Sequence, residues 1–240
     1  MRNLEVCLAP ELLGGYPDRE AIVVILDIYR ATTSICTAFR NGVDRLIPVA
    51  TIDEARRYKS EGYLVAGERD GQMLEFADFG NSPFNFTRER VEGKTVVYTT
   101  TNGTRTIHLA SPYHMTIIGS FLNGEAVARY LAGTDRNVLL LCAGWKGRFN
   151  LEDTVCAGFL SQKLLLSGLF ETNCDSVFAA IDLWKLAESD LQGYLGKAAH
   201  RSRLQLKGLD DCIEYCLTID TVAVIPVLRD GLLVAMSPDG

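Results

Sequence analysis

Residues 21–40 read Ala-Ile-Val-Val-Ile-Leu-Asp-Ile-Tyr-Arg-Ala-Thr-Thr-Ser-Ile-Cys-Thr-Ala-Phe-Arg. The first six residues are an unbroken apolar run rich in β-branched side chains, which predicts a strand buried on both faces. From Thr32 to Arg40 the apolar residues have helical spacing, and Gly42 predicts the end of that helix. A buried strand that leads directly into a helix is typical of layered α/β folds.

The same alternation of short apolar runs and amphipathic stretches continues along the chain. The apolar runs predict strands at 63–66, 95–98, 115–118 and 137–142. The amphipathic stretches predict helices at 52–60, 124–131, 151–166, 174–188, 191–199 and 209–216. A short helix is also predicted after the strand at 95–98, and it ends at about residue 109. The C terminus returns to strand at 222–228, and Asp230-Gly231 predicts a hairpin turn into 232–236.

This order of elements predicts an α/β fold, layered α/β/α with a mixed sheet. We expect a single domain over residues 1–240, or two similar lobes that divide near residue 120. No linker rich in proline, glycine or serine marks a boundary at that point.

Composition excludes several classes of protein. With 48% hydrophobic residues the chain can bury a large core, and a net charge of -6 without a basic run argues against binding to a nucleic-acid backbone. No apolar stretch approaches the roughly 18 residues of a membrane span, and the N terminus lacks a signal-peptide pattern. Seven cysteines without a Cys-x-x-Cys pair favour buried reduced thiols. We therefore expect a cytoplasmic protein without membrane or nucleic-acid partners, and a homodimer is an open alternative.

Polar residues cluster directly after two of the predicted strands. Asp27 ends the first buried strand and Arg30 follows in the turn, where a carboxylate can ligate a cation or act as a base and an arginine can hold a phosphate. Glu68 follows the strand at 63–66, and Asn81 and Ser82 offer neutral hydrogen bonds in a later turn. Ligands of open α/β sheets bind beyond the carboxyl ends of the strands. A strand-end ion pair and a solvated turn are the simpler interpretations of these two clusters.

The third cluster follows the strand at 95–98 and has the character of an anion cradle. Residues 99–105 read Thr-Thr-Thr-Asn-Gly-Thr-Arg, which combines hydroxyls, a glycine that permits close backbone approach and the start of a helix. Helix capping alone is the simpler interpretation of the threonines. The candidate substrate-binding residues here are Thr101, Asn102, Gly103 and Thr104, with Arg105 as a candidate catalytic arginine.

The fourth cluster, residues 142–153, lies between a strand and a long helix. It contains two glycines for close approach, Gly144 and Gly147, and two acids in the first helical turn, Glu152 and Asp153. Favourable interaction with the helix dipole explains the acids without a ligand. The spacing from Cys142 to Arg148 also matches the Cys-x5-Arg loop of cysteine phosphatases, in which a thiolate attacks phosphorus.

Together the clusters bring four carboxylates and three arginines to one predicted sheet edge. Oxygen ligands with few histidines suit a hard cation such as Mg²⁺ and a phosphorylated anion. The candidate metal ligands are Asp27, Glu68, Glu152 and Asp153, and the candidate anion-binding arginines are Arg30, Arg105 and Arg148.

In this order the four motifs resemble those of the 2-phosphosulfolactate phosphatase family of coenzyme M biosynthesis. The matching strings are Asp27-x-x-Arg30-Ala-Thr-Thr, Gly67-Glu68-Arg69-x-Gly71 with Gly80-Asn-Ser-Pro83, Thr99-Thr-Thr-Asn-Gly-Thr-Arg105, and Cys142-Ala-Gly144-x-x-Gly147 with Leu151-Glu-Asp153. The resemblance extends from about Ile22 to Pro226.

The resemblance implies a Mg²⁺-dependent phosphatase that converts 2-phospho-3-sulfolactate to 3-sulfolactate and phosphate. We expect hydrolysis by a metal-activated water, with Asp27, Glu68, Glu152 and Asp153 as ligands or bases. The open alternatives are an aspartyl-phosphate at Asp27, a Cys142 nucleophile, activity on another 2-phosphohydroxy acid, and a non-catalytic sensor of an anionic metabolite.

Overall fold

The structure, a computed structural model, describes residues 1–236 and is built on one large mixed sheet. The strands are β1 Arg2–Cys7, β2 Ile22–Leu26, β3 Arg45–Pro48, β4 Leu64–Arg69, β5 Gln72–Met73, β6 Thr95–Thr99, β7 Met115–Gly119, β8 Val138–Cys142, β9 Phe170–Glu171, β10 Pro226–Arg229 and β11 Leu232–Ala235. The expected α/β fold with a mixed sheet is therefore confirmed.

Helices connect most of these strands. They are α1 Ala31–Arg40, α2 Ile52–Ser60, α3 Arg88–Val91, α4 Gly103–Ala110, α5 Gly124–Ala132, α6 Leu151–Leu166, α7 Asp175–Ala187, α8 Leu191–Tyr194, α9 Ala199–Leu206 and α10 Ile213–Cys216. Among the described residues, no helix is both long and apolar enough to cross a bilayer.

The strand order is β5-β4-β6-β3-β11-β10-β7-β2-β8-β1-β9, and it contains two parallel blocks. One block is β4-β6-β3 and the other is β7-β2-β8-β1-β9. The C-terminal hairpin β10–β11 lies between the blocks and pairs antiparallel with β7 on one side and β3 on the other. The three antiparallel pairings between β7 and β3 make the two blocks run in opposite directions. The carboxyl ends of the two blocks therefore do not lie on one edge of the sheet, contrary to the single sheet edge expected from the sequence. The single domain over residues 1–240 and its division near residue 120 stay predictions.

Strand β2 shows why the sheet needs helices on both faces. Ile22, Val24 and Leu26 lie in a core with side chains of α5, α6 and α7. Val23 and Ile25, on the opposite face, pack with side chains of α1 and α4. All five residues are buried, and burial of each such side chain contributes about 1.5–3 kcal/mol. This two-sided burial holds the end of β2, and with it Asp27, in a fixed place.

The differences from the sequence expectation lie where the local signal is weak. Strand β1 was missed because its apolar residues are interrupted by charged ones, and β3 because it has four residues. The predicted helix 191–199 is broken into α8, a 3₁₀ turn and the start of α9, and it contains Gly193 and Gly196, which weaken helices. The predicted strand 222–228 begins only at Pro226, and α10 covers only the end of the predicted helix 209–216.

Candidate active site

A small cavity, the Asp27 pocket, lies between the loops at the ends of β2, β4, β6 and β8 and helix α9. Its volume is about 20 Å³, which is room for about one water molecule. All four predicted motifs contribute to it, from the ends of β2, β4, β6 and β8 and the loops that follow them. Its lining residues are Asp27, Tyr29, Arg30, Glu68, Gly71, Asn81, Thr100, Asn102, Trp145, His200 and Leu204.

Asp27 follows β2 directly and is held at the start of α1. Its Oδ1 accepts a hydrogen bond from the Ala31 amide at 3.3 Å, and its own amide donates to Thr32 Oγ1 at 3.1 Å. Burial raises the pKa of Asp27 to about 6, and the neighbouring charge of His200 opposes that increase. The carboxylates of Glu68 and Glu152 raise the pKa of Asp27 further. The turn therefore holds a buried carboxyl group beside other charged groups.

Glu68 joins the two loops that close the pocket on the β4–β6 side. Its Oε1 accepts a hydrogen bond from the Thr101 amide at 2.6 Å. Its Oε2 accepts hydrogen bonds from the Gly71 amide at 2.6 Å and from Thr101 Oγ1 at 3.1 Å. Each carboxylate oxygen has two lone pairs, so Glu68 keeps acceptor capacity toward the pocket.

Arg30 supplies a buried cation opposite these acids. Its guanidinium donates to the carbonyl oxygens of Leu209 and Gly71, each at 3.3 Å, and its exposed fraction is 4%. Within residues 1–236 it forms no ion pair with a carboxylate inside 4.0 Å. A buried guanidinium that forms no close ion pair is suited to binding an anion through two parallel hydrogen bonds.

His200, on α9, is the main functional residue that the sequence reasoning missed. Its Nδ1 lies 2.9 Å from Oε1 of Glu152, and Asn150 Nδ2 donates to the same oxygen at 3.1 Å. The ring packs against Trp145 with centroids 4.9 Å apart. Because Glu152 engages Nδ1, Nε2 is the nitrogen that remains for a ligand. A single histidine in a polar helix carries no sequence signal of such a role.

Glu152 and Asp153 lie behind the pocket lining. Asp153 Oδ1 accepts a hydrogen bond from the Ile28 amide at 2.8 Å, and Oδ2 accepts hydrogen bonds from the Gly144 amide at 3.1 Å and from Asn150 Nδ2 at 2.8 Å. Burial, with Asp27 and Glu152 nearby, raises the pKa of Asp153 well above its usual value. Asp153 thus ties the Asp27 turn to the loop after β8.

Comparison with known proteins identifies the family of this chain. The sequence model described as 2-phosphosulpholactate phosphatase matches residues 7–231. The chain belongs to this family. A protein from Caldanaerobacter subterraneus subsp. tengcongensis is 36% identical over 90% of each chain, and one from Thermotoga maritima is 38% identical over 88% of this chain and 90% of its own. One from Clostridium perfringens is 34% identical over 95% of this chain and 94% of its own. Each is described as a probable 2-phosphosulfolactate phosphatase.

The carboxylates of the site can be compared with the ligands that a metal ion requires. Across the described part of the chain, no three His, Cys, Asp or Glu side chains form a ready cluster of metal ligands. Mg²⁺ needs fewer, since it commonly binds through one or two carboxylates, waters and substrate phosphate. Asp27 and Glu68 line the pocket and fit that requirement, whereas Asp153 is not part of the lining.

Three other predicted residues, Cys142, Arg105 and Arg148, lie outside the Asp27 pocket lining. Cys142 is fully buried outside the Asp27 pocket lining, and burial raises the pKa of its thiol well above the usual value, which disfavours the nucleophilic thiolate. Arg105 is half exposed and pairs with Glu11 at 2.8 Å, outside the lining of that pocket. Arg148 lines a neighbouring cavity instead.

Of the predicted substrate-binding residues, Asn81 and Asn102 line the Asp27 pocket, whereas the glycine and hydroxyl residues lie outside its lining. A Cβ at Gly103 would lie 2.5 Å from Ala31 Cβ and 3.0 Å from Asp27 Oδ2, so only glycine permits this approach of α4 to the Asp27 turn. Thr104 bonds back to Thr100, and Ser82 Oγ is buried without a partner among the described residues. Gly144 and Gly147 adopt positive φ values in the loop after β8.

Proposed function

We propose that this protein hydrolyses the phosphate ester of a small 2-hydroxy acid, with 2-phospho-3-sulfolactate as substrate and 3-sulfolactate and phosphate as products. The observation that carries the proposal is the Asp27 pocket, in which two carboxylates, an arginine and a histidine come together from separate elements. Membership of the phosphatase family and the names of the relatives support the same reaction.

In this proposal each side chain of the pocket has a separate role. Arg30 binds phosphate oxygens through its guanidinium, and the amides and hydroxyls around Thr100 and Asn102 orient the group. His200, held through Nδ1 by Glu152, can donate a proton from Nε2 to the ester oxygen as the bond to phosphorus breaks. Protonation of the leaving oxygen avoids the release of an unstable alkoxide.

We propose Mg²⁺ as the cofactor, held by Asp27 and Glu68. When bound, it lowers the pKa of a water ligand and offsets the negative charge of the phosphate. The raised pKa of Asp27 supports this assignment, because a buried carboxylate without a cation is costly. Glu152 and Asp153, the other predicted ligands, act in this proposal as supports for His200 and for the Asp27 turn.

Substrate entry requires movement of the covering helix. A cavity of about 20 Å³ cannot hold a phosphate group, and α9 contributes His200 and Leu204 to its lining. In our proposal α9 moves away to admit the substrate and returns with His200, which also excludes water from the reacting centre.

The biosynthetic pathway and the cellular compartment of the reaction are also part of the proposal. We place it in coenzyme M biosynthesis and in the cytoplasm, where the cysteines, all free in the described chain, remain reduced. The partner is a small phosphorylated 2-hydroxy acid and not a nucleic acid. A homodimer stays a prediction.

The direct test is a phosphate-release assay with purified protein on 2-phosphosulfolactate, 2-phospholactate and phosphoglycolate. We expect turnover with Mg²⁺, loss of turnover after exhaustive EDTA treatment and recovery when Mg²⁺ is restored. Unchanged turnover after EDTA would remove the metal from the proposal. Binding of sulfolactate without hydrolysis of any ester would identify the protein as a sensor.

A further inference from the structure

A second cavity adjoins the Asp27 pocket, and no residue role proposed above depends on it. This Arg203 pocket has a volume of about 320 Å³ and lies between the loop after β8 and the start of α9. Trp145 and His200 line both cavities. A ligand in the Asp27 pocket therefore has a neighbouring space on the far side of these two rings.

Three cations line the Arg203 pocket: Arg148, Lys197 and Arg203. Within the described residues, none of them forms an ion pair inside 4.0 Å or donates a side-chain hydrogen bond. The acid in the lining is Glu152, whose Oε1 is engaged by His200 and Asn150 and whose Oε2 is buried without a partner. The cavity thus carries a net positive charge, because three cations face one carboxylate, that of Glu152.

Arg203 has a buried donor that the described residues leave without a partner. Its guanidinium lies 4.4 Å from the centre of the Trp145 ring, and its Nε is buried without a hydrogen-bond acceptor in residues 1–236. Burial lowers the pKa of Arg203, and the charge of Glu152 opposes that decrease. A buried charged donor without an acceptor is costly, and an anionic oxygen in the cavity would remove that cost.

The remaining walls suit a small organic anion. Helix α9 begins at Ala199 on this cavity, and the first amides of a helix lack intrahelical acceptors and favour negative charge. Trp145 and the half-exposed Phe149 supply apolar surface for a methylene group. Cations, free amides and an aromatic wall together match an anion carried on a short carbon chain.

We propose that the Arg203 pocket binds the sulfonate of the substrate, with Arg203 and Lys197 as its main partners and Arg148 beside them. This inference rests on the proposed function, because it assigns the phosphate to the Asp27 pocket. In 2-phospho-3-sulfolactate the carboxyl carbon is bonded to the carbon that carries the ester oxygen, whereas the sulfonate lies one methylene farther out. The sulfonate is therefore the group that reaches past Trp145 and His200.

The test compares two substrates that differ only in this group: 2-phosphosulfolactate and 2-phospholactate, which has a methyl group in place of the sulfonated methylene. We expect Arg203→Met and Lys197→Met each to lower kcat/KM for the sulfonated ester by about 10- to 100-fold, the value of a charged hydrogen bond. For 2-phospholactate the same variants should change kcat/KM by less than about 3-fold.

The matched control is Arg201→Met, which removes a cation from the same helix. Arg201 donates to the Gln192 carbonyl at 2.8 Å and does not line the Arg203 pocket. We expect this variant to leave the ratio of kcat/KM for the two esters unchanged. Thermal unfolding of each variant shows whether it is folded, and Arg203→Lys replaces Arg203→Met if the latter unfolds.

Two results would overturn the assignment: an equal loss on both esters, or no loss on the sulfonated ester. If the wild-type protein hydrolyses no phosphate ester, the proposed function fails, and calorimetry then tests the pocket separately. Binding of 3-sulfolactate to the wild type that is lost in Arg203→Met supports the sulfonate site. Equal binding by both proteins, or none by the wild type, contradicts it.

Discussion

The Asp27 pocket and the Arg203 pocket share two residues and differ in almost everything else. The first has a volume of about 20 Å³ and contains two carboxylates with one arginine. The second has about 320 Å³ and contains one carboxylate with three cations that form no ion pair within the described residues. Acids suit the binding of a cation and the breaking of a bond, and cations suit the recognition of an anion. The difference indicates that chemistry and selectivity lie in separate cavities. The net charge of -6 is a sum over the whole chain, so it indicates neither the acidic nor the basic pocket.

Substitution of Asp27, a carboxylate of the Asp27 pocket, should give the largest loss of activity. We expect Asp27→Asn to lower kcat by about 10³-fold or more, since it removes a proposed metal ligand beside the phosphate. The measurement is steady-state hydrolysis of 2-phosphosulfolactate at saturating Mg²⁺. Asp70→Asn is the control, because Asp70 is half exposed, pairs with Lys146 at 2.7 Å and has a left-handed φ that asparagine tolerates. Equal activity of Asp27→Asn and the control would place the chemistry elsewhere.

Substitution of His200, which lines both pockets, should give the next largest loss of activity. His200→Asn keeps a group that can bond to Glu152 but removes Nε2, so we expect kcat to fall by about 10²- to 10³-fold. Glu152→Gln leaves the imidazole in place and weakens only its support, which should cost about 10-fold. Measurement of both variants on both esters separates proton transfer from sulfonate binding. A change in KM alone for His200→Asn would make His200 a binding residue.

The buried carboxyl of Asp27 also predicts a pH-dependent stability in metal-free protein. Its pKa of about 6 lies above the unfolded value of 3.8, so the folded state binds more protons between these values and loses stability as pH rises. Charged Asp27 then costs about 3 kcal/mol above pH 6. In EDTA, Asp27→Asn should unfold at a higher temperature than the wild type at pH 8, and the gap should shrink as pH falls from 6 toward 4. A gap that is constant with pH would show that Asp27 does not titrate in this range.

The sequence predicts the acidic pocket better than the basic one, for a physical reason. Asp27 follows β2 directly and Glu68 lies near the end of β4. The apolar run of each strand can be recognised in the sequence, so the position of each side chain at a strand end can be inferred. His200 and Arg203 lie on a short helix that reaches the site through tertiary packing against Trp145, and no local pattern encodes that contact. The sheet shows the same difference between local and long-range information. The apolar run at 21–26 predicts β2, whereas the insertion of the C-terminal hairpin between β3 and β7 depends on pairing of residues far apart in the sequence.

The smallest effect should come from Arg105, which the sequence does not distinguish from Arg30. Both follow a strand and lie at or near the start of a helix, but Arg30 is buried in the Asp27 pocket and Arg105 pairs with Glu11 on the surface. Exposed ion pairs contribute about 0–1 kcal/mol. We therefore expect Arg105→Lys to change kcat/KM by less than about 2-fold, whereas Arg30→Lys should cost about 10²-fold because lysine cannot bind phosphate through a planar fork. Comparable losses in the two variants would return Arg105 to the phosphate site and show that the surface pair opens when substrate binds.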